Sequence, residues 1–304
     1  MKTRKIYPGE VHHVCQQTIG GVLVFYTVSD YLVFFTIFCT VAKRYGVKVL
    51  ALCPMVDHLH NAVVVPSSEI TLPHFVQQYT SIFSREWNNS RGRKGPLFKH
   101  RYKSSVKLGN KSIKTTLNYN NNNPVERKMV LYAEDYRWNF LKYSDKATPF
   151  SAPIDISRKS QTFREILKEV KRIYFGGGHL NYQRLEYWKS KLSPIEMQQL
   201  ADYAINLWNV IDYKEAASYY GGMDVMIRSC RDNTGYDYEI KEDRDNYSDA
   251  VYKDCTNILL KEKLITNLFD IPSLPLSRKK ALAEVLSNRT TARDKQIKKF
   301  LHII

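Results

Sequence analysis

The sequence is poor in cysteine, and its cysteines follow none of the paired spacings that zinc sites and disulfide frameworks use. Scattered cysteines in an odd number are typical of reduced thiols, so we expect a cytoplasmic protein. The first ten residues are polar, which predicts that no secretory signal peptide is present. The sequence also lacks a Gly-x-x-x-x-Gly-Lys loop, which argues against a Walker-type nucleotide site. The cysteines are Cys15, Cys39, Cys53, Cys230 and Cys255.

One stretch is long and apolar enough to suggest a membrane span. Residues 19–42 carry a single charge, Asp30, near their middle. Burying that carboxylate in a bilayer would cost roughly 2.5–3.5 kcal/mol. Ser29 and Asp30 are better explained as the cap of an amphipathic helix that follows a strand. We therefore predict that the chain has no membrane partner.

Acidic residues are few relative to basic ones, with 30 Asp and Glu against 46 Lys and Arg and a formal net charge of +16. The imbalance is concentrated in residues 1–150, which hold 21 basic and 9 acidic side chains. An excess of positive charge of this size predicts a polyanionic partner.

Between Arg85 and Lys114 there are ten basic residues and one acid, interleaved with aromatic side chains. Such a composition is typical of a surface that follows a phosphate backbone and stacks bases, although a solvated charge run is the usual alternative. It does not distinguish DNA from RNA. The candidate nucleic-acid contacts are Arg91, Arg93, Lys94, Lys99, Arg101, Lys103 and Lys107.

The apolar pattern predicts two regions. Residues 1–147 read as strand, helix, strand, strand, helix, strand and a final helix. The first position in this order is a strand or hairpin formed by residues 11–18 and 22–28, and the other strands are predicted over 47–53, 58–65 and 97–107. The helices are predicted over 30–45, 69–89 and 110–123, and Pro124 is expected to end or kink the last one. This split β-α-β order predicts an α+β, ferredoxin-like domain, an antiparallel sheet with helices on one face.

Residues 148–304 are predicted to form a mostly α-helical accessory domain after a linker that contains proline and serine. Residues 277–302 read as two short helices with a basic second helix. They fit a DNA-binding helix-turn-helix and, equally well, a plain helical hairpin.

His58 and His60 flank one residue at the head of a β-branched run. Side chains alternate along a strand, so both imidazoles lie on one face and can share a divalent metal ion. An isolated His-x-His is more often a pair of polar residues at a strand end. Tyr119 and Asn123 favour the metal site, because residues four apart share a helix face and would add a phenol and an amide oxygen. Such a set suits attack of a tyrosine on a polarised phosphate.

Taken in order, the motifs of roughly residues 8–145 resemble the single-tyrosine HUH transposases, and most closely the REP-associated tyrosine transposases. The series is Met55-x-Asp57-His58-x-His60, then residues 88–95, then Leu97-Phe98-x-x-Arg101-Tyr102-Lys103-Ser104, then Tyr119-x-x-x-Asn123-Pro124-Val125, then Asp135-Tyr136-x-Trp138. The resemblance implies an HUH endonuclease fold and metal-dependent cleavage and rejoining of single-stranded or hairpin DNA at mobile-element or repeat ends.

By the same resemblance His58 and His60 are the metal pair, and Asn123 is the third ligand. Tyr119 is the nucleophile that becomes joined to a 5′ phosphate. Magnesium or manganese is the implied ion, and the implied location is the nucleoid, with homodimer formation as a further expectation. Asp57 stands where the family usually has asparagine, and it either adds a negative ligand or faces solvent.

Two alternatives remain at this stage. The first is an HUH replication initiator or relaxase, which uses the same chemistry but tends to carry a helicase or a longer histidine cluster. The second is a domesticated, non-catalytic DNA-binding protein or repressor. A binding module has no need of His58, His60 and Tyr119 together, so their presence favours the transposase.

Overall fold

The computed structural model describes residues 6–66, 71–232 and 248–303. The strands are β1 (Val11–Gln17), β2 (Lys48–Pro54), β3 (His58–Val64) and β4 (Lys103–Lys107). The helices of the first half are α1 (Val28–Tyr45), α2 (Thr71–Ser90) and α3 (Gly109–Glu126). Those of the second half are α4 (Gln161–Phe175), α5 (Tyr182–Lys189), α6 (Pro194–Trp208), α7 (Tyr213–Ser218), α8 (Met223–Asp232), α9 (Val251–Lys261), α10 (Leu276–Arg289) and α11 (Asp294–Leu301).

The four strands form one sheet in the order β2-β3-β1-β4, and every neighbouring pair is antiparallel. Strands β2 and β3 form a hairpin, α1 connects β1 to β2, and α2 lies between β3 and β4. This is the predicted split β-α-β order, so the α+β, ferredoxin-like fold is confirmed. The predicted first two residues of α2, 69 and 70, lie outside the described residues.

Each face of the sheet has its own helical cover. Helices α1 and α2 pack on the face that presents Val14, Leu59 and Val63. Helix α3 packs on the opposite face, where Leu117 contributes to a cluster with Ala62. The prediction of helices on one face therefore holds for α1 and α2 but not for α3. Because alternate residues of β3 point toward α3, the candidate functional side chains of β3 and α3 meet on this face of the sheet.

Both ends of helix α1 carry capping residues. Thr27 is the N-cap, and Asp30 completes a capping box with it three residues later. The cap therefore lies two residues before Ser29, which the sequence had suggested. Gly46 ends the helix at φ +62°, a left-handed conformation that glycine adopts without strain.

Three predicted elements differ from those observed. Residues 22–26 are not a strand, because the backbone of Val24 and Phe25 bonds to the carbonyl of Val56 rather than to a sheet neighbour. The strand predicted over 97–107 begins only at residue 103, and the preceding segment makes one isolated bridge. Helix α3 continues past Pro124 to Glu126, since the following turn is held by backbone bonds to the carbonyls of residues 123–125.

The helices after residue 148 are distributed around the first half of the chain. Trp188 and Trp208 belong to the same core as α1 and α2, and Cys230 belongs to the cluster under α3. Leu286 and Phe300 pack with apolar residues of the segments before α1 and before β3. The division at residues 147 and 148, and a DNA-binding role for α10 and α11, stay predictions. Within the described ranges, none of the helices is long and apolar enough to cross a bilayer.

Candidate active site

His58 and His60 lie on β3 and face α3, as the strand period predicts. Both are buried, with 3% and 0% of their surface exposed. Their rings meet edge to face, with centroids 4.9 Å apart. The fold therefore holds two imidazoles next to each other on one buried face of the sheet.

Asp57 is a hydrogen-bond acceptor for the first histidine. Its Oδ1 lies 2.5 Å from His58 Nδ1, and because a carboxylate only accepts, Nδ1 carries the hydrogen. Burial raises the pKa of Asp57, but the electrostatic interaction and hydrogen bond with His58 and the positive charges of Lys299 and Arg127 outweigh burial and hold the pKa below its ordinary value. Asp57 thus does not face solvent, which was one of the two roles considered from sequence, and it orients His58. A role as a further ligand stays a prediction.

His13 performs a similar role for the second histidine and was missed by the sequence analysis. Its Nε2 lies 3.1 Å from His60 Nδ1, and the two rings are stacked with centroids 5.3 Å apart. His13 lies on β1, which pairs with β3. A histidine in a predicted strand was the available signal, but only the pairing of β1 with β3 places it beside His60.

Tyr119 lies on α3, next to His60 and His13. The phenol ring meets the rings of His60 and His13 edge to face, at centroid distances of 5.1 and 5.5 Å. Asn123 lies one turn further on, and its Nδ2 donates to the Tyr119 carbonyl at 3.4 Å. That bond turns its Oδ1 toward His58 Nε2, 3.4 Å away.

The four consecutive asparagines on α3, residues 120–123, have different hydrogen-bond partners. Asn120 donates to the carbonyl of Thr116 one turn back, and Asn122 donates to the carbonyl of Cys230 on α8. The Asn121 carbonyl accepts a hydrogen bond from Asn139 Nδ2. Asn123 is therefore the amide of this run that reaches His58. Its role as a third metal ligand stays a prediction.

The donor set is suited to a divalent cation. The hydrogen bond to Asp57 at Nδ1 leaves Nε2 as the ligating nitrogen of His58, and Nε2 of His60 is the ligating nitrogen when its Nδ1 donates to His13. Orientation by outer partners of this kind is usual for metal-bound imidazoles. When His58 is neutral, the lone pair of its Nε2 faces Asn123 Oδ1, which is also an electron-pair donor. A cation bound between these two atoms would be coordinated by both. Among the described residues no three His, Cys, Asp or Glu side chains form a metal-binding group, so the amide is needed to complete this set.

The residues predicted to contact DNA differ in their exposure to solvent. Lys94, Lys99, Arg101 and Lys103 are exposed. Cys15 on β1 lies opposite both His60 on β3 and Lys103 on β4. Because paired residues share a face of the sheet, Lys103 lies on the same face as His60, two strands away from it. Lys99 Nζ donates to the side chain of Gln17, the β1 residue opposite His58. The exposed lysines thus lie along the β1–β4 side of the site.

Arg91 is not a DNA contact, and this prediction is wrong. Its guanidinium is buried, bonds to Asp30 Oδ1 at 2.5 Å, and stacks over the rings of Trp87 and Phe269. A side chain enclosed in this way cannot reach a phosphate backbone. Lys107 is buried as well, at 4% exposure, so the same correction applies to it. Arg93 is half-buried, and its guanidinium bonds to Asn88 and to carbonyls of its own loop.

Replacing both Lys99 and Lys103 by alanine should weaken single-stranded DNA binding and flatten its salt dependence. Each lost phosphate contact reduces the slope of log affinity against log salt by about 0.7 for single strands, so the pair should reduce it by about 1.4. Fluorescence anisotropy with a labelled oligonucleotide at several salt concentrations measures the slope. Lys189 and Lys191, exposed lysines at the end of and just after α5, supply the control. An unchanged slope in Lys99→Ala/Lys103→Ala would remove both lysines from the interface.

A known family model matches part of this chain. Residues 24–123 match the family model described as IS200-like transposase, a segment that contains His58, His60, Tyr119 and Asn123. A solved REP-associated tyrosine transposase bound to a REP hairpin is similar over 53% of this chain and 96% of its own, with 14% identity and a TM-score of 0.39. At that level the similarity carries no functional argument. No curated protein matches the sequence. Residues 24–123, about a third of the chain, are thus similar to the IS200-like transposases.

Proposed function

We propose that this protein is a transposase that cleaves and rejoins single-stranded DNA through a 5′-phosphotyrosine intermediate, at the ends of a mobile element or repeat. The observation that carries the proposal is the position of Tyr119, whose ring touches His60 and whose helix also carries Asn123 to His58. A tyrosine, two imidazoles and an amide oxygen on two different elements thus share one site. No purely structural role requires that combination.

The proposed step conserves the phosphodiester bond energy. Tyr119 Oη attacks the scissile phosphorus and forms a phosphotyrosine bond, while the bond to the 3′ oxygen of the upstream nucleotide breaks. The phenol loses its proton to solvent, and the departing 3′ oxygen gains one. Attack of a 3′ hydroxyl on the phosphotyrosine reverses these changes and joins a DNA strand.

His58, His60 and Asn123 are the proposed ligands of a magnesium or manganese ion. Such an ion, when bound, would polarise the scissile phosphate and offset the charge that develops on it. Asp57 and His13 hold the two imidazoles in their ligating orientation through the Nδ1 atoms. Lys99, which bonds to Gln17, and Lys103, which lies opposite Cys15, are the proposed phosphate contacts on the same side of the sheet.

A covalent-adduct assay tests the proposal. The full chain would be incubated with labelled oligonucleotides covering both strands of the DNA that flanks its gene, as single strands and as hairpins. We expect a protein–DNA band that withstands denaturation, requires Mg²⁺ or Mn²⁺, and disappears with EDTA or in His58→Ala. Binding without an adduct on any of these substrates would contradict the proposal and favour a non-catalytic DNA-binding protein.

A further inference from the structure

The carboxyl-terminal helix α11 lies beside the turn that precedes β3. The Leu23 N–H donates to the Lys299 carbonyl at 3.3 Å, and the Tyr26 hydroxyl donates to the Phe300 carbonyl at 2.5 Å. His302, which follows the helix, lies 2.6 Å from the Leu23 carbonyl through Nε2. These bonds and the buried ring of Phe300 fix α11 against residues 23–26.

Docked in this way, α11 brings a lysine to the carboxylate that orients His58. Lys299 Nζ lies 3.6 Å from Asp57 Oδ2, and both side chains are largely buried, at 18% and 13% exposure. The lysine stem passes Gly21 closely, since a Cβ on that glycine would stand 3.1 Å from Lys299 Cε. The absence of a side chain at residue 21 therefore leaves the space through which Lys299 reaches Asp57.

The two oxygens of Asp57 have different partners. Oδ1 accepts from His58 Nδ1, whereas Oδ2 faces Lys299. The Asp57 carbonyl is bonded to the backbone N–H and the hydroxyl of Thr18, at 3.1 and 2.9 Å. With the backbone held by Thr18, the direction of the carboxylate depends on the groups that its two oxygens meet.

We propose that Lys299 is a positioning residue for the metal site, which holds Asp57 so that His58 keeps its hydrogen on Nδ1 and presents Nε2 as the ligand. The inference rests on the proposed function in so far as the ion at His58 belongs to DNA cleavage. It gives helix α11 a role in the chemistry of a histidine more than 230 residues earlier in sequence. Outer partners of this kind typically change metal affinity by about 10- to 100-fold.

The test compares four full-length proteins: wild type, Lys299→Met, Lys299→Arg and Lys298→Met. Lys298 is the matched control, because it is the preceding lysine of the same helix but is half-exposed and pairs with Asp294 at 2.8 Å. The first readout is the tautomer of His58 in the metal-free protein, from long-range ¹⁵N–¹H correlation spectra. The second is the Mn²⁺ dissociation constant, from electron paramagnetic resonance titration.

We expect the wild type, Lys299→Arg and Lys298→Met to show the Nδ1–H tautomer of His58. Lys299→Met should show a mixture of tautomers and bind Mn²⁺ about 10-fold more weakly. Should Lys299→Met fail to fold, Lys299→Gln keeps a polar side chain without the charge and carries the same test. An unchanged tautomer and unchanged Mn²⁺ affinity in the uncharged variant would overturn the inference.

The two readouts also separate this inference from the proposed function. If the wild-type protein forms no DNA adduct, the proposed reaction fails, but the tautomer in the metal-free protein still reports whether Lys299 positions His58. If the adduct forms and the tautomer is insensitive to Lys299, the reaction stands and the positioning role fails.

Discussion

Replacing Tyr119 by phenylalanine is expected to abolish the covalent protein–DNA adduct and leave DNA binding intact. The substitution removes one oxygen, the proposed nucleophile, and keeps the ring that contacts His60 and His13. Loss of a nucleophile costs up to ~10⁶-fold in rate in enzymes where it has been measured, so cleavage should fall by at least about 10³-fold. Single-turnover cleavage of a labelled oligonucleotide, followed on denaturing gels, measures the change.

Tyr220→Phe is the matched control for this experiment. The Tyr220 hydroxyl is also held against α3, where it donates to Asn118 Oδ1 at 2.9 Å. We expect this variant to cleave at a rate close to that of the wild type. Adduct formation by Tyr119→Phe at the wild-type rate would assign the nucleophile to another residue.

Replacing Arg91 by methionine is expected to have the largest effect on stability, a loss of about 3–5 kcal/mol of unfolding free energy. Both Arg91 and its partner Asp30 are buried, and the loss of the guanidinium would leave the carboxylate without its countercharge. Tyr182 donates to the same oxygen at 2.8 Å, so the change would reach the packing of α5 as well. Urea unfolding followed by circular dichroism measures the loss.

Arg158→Met is the control for the buried pair. Arg158 also pairs with an aspartate, Asp155, at 3.2 Å, but its side chain is 87% exposed. Exposed ion pairs contribute about 0–1 kcal/mol, so this variant should unfold close to the wild type. If the two arginine variants lost similar stability, Arg91 would not be the structural residue that its burial indicates.

The sequence by itself determined the parts of this protein that depend on neighbouring residues. The period of two in β3 placed His58 and His60 on one face, and the spacing of four placed Tyr119 and Asn123 on one side of α3. The order of strands and helices determined the split β-α-β core, because few arrangements of a four-stranded antiparallel sheet suit that order. Local rules were also sufficient to end α1 at Gly46.

Tertiary structure decided which distant side chains surround those residues. His13 meets His60 only because β1 pairs with β3, and Asp57 meets Lys299 only because α11 docks on residues 23–26. Neither pairing leaves a periodic signal in the sequence.

Burial was the other property that the sequence did not reveal. Arg91 lies in a run of basic residues with the composition of a DNA-binding loop, yet the fold encloses it beside Asp30. The same residue type a few positions along, Arg101, is exposed. Net charge predicts the kind of partner, because it is a sum over many residues. The packing of helices and loops determines which individual charged side chains remain at the surface, where they can contact that partner.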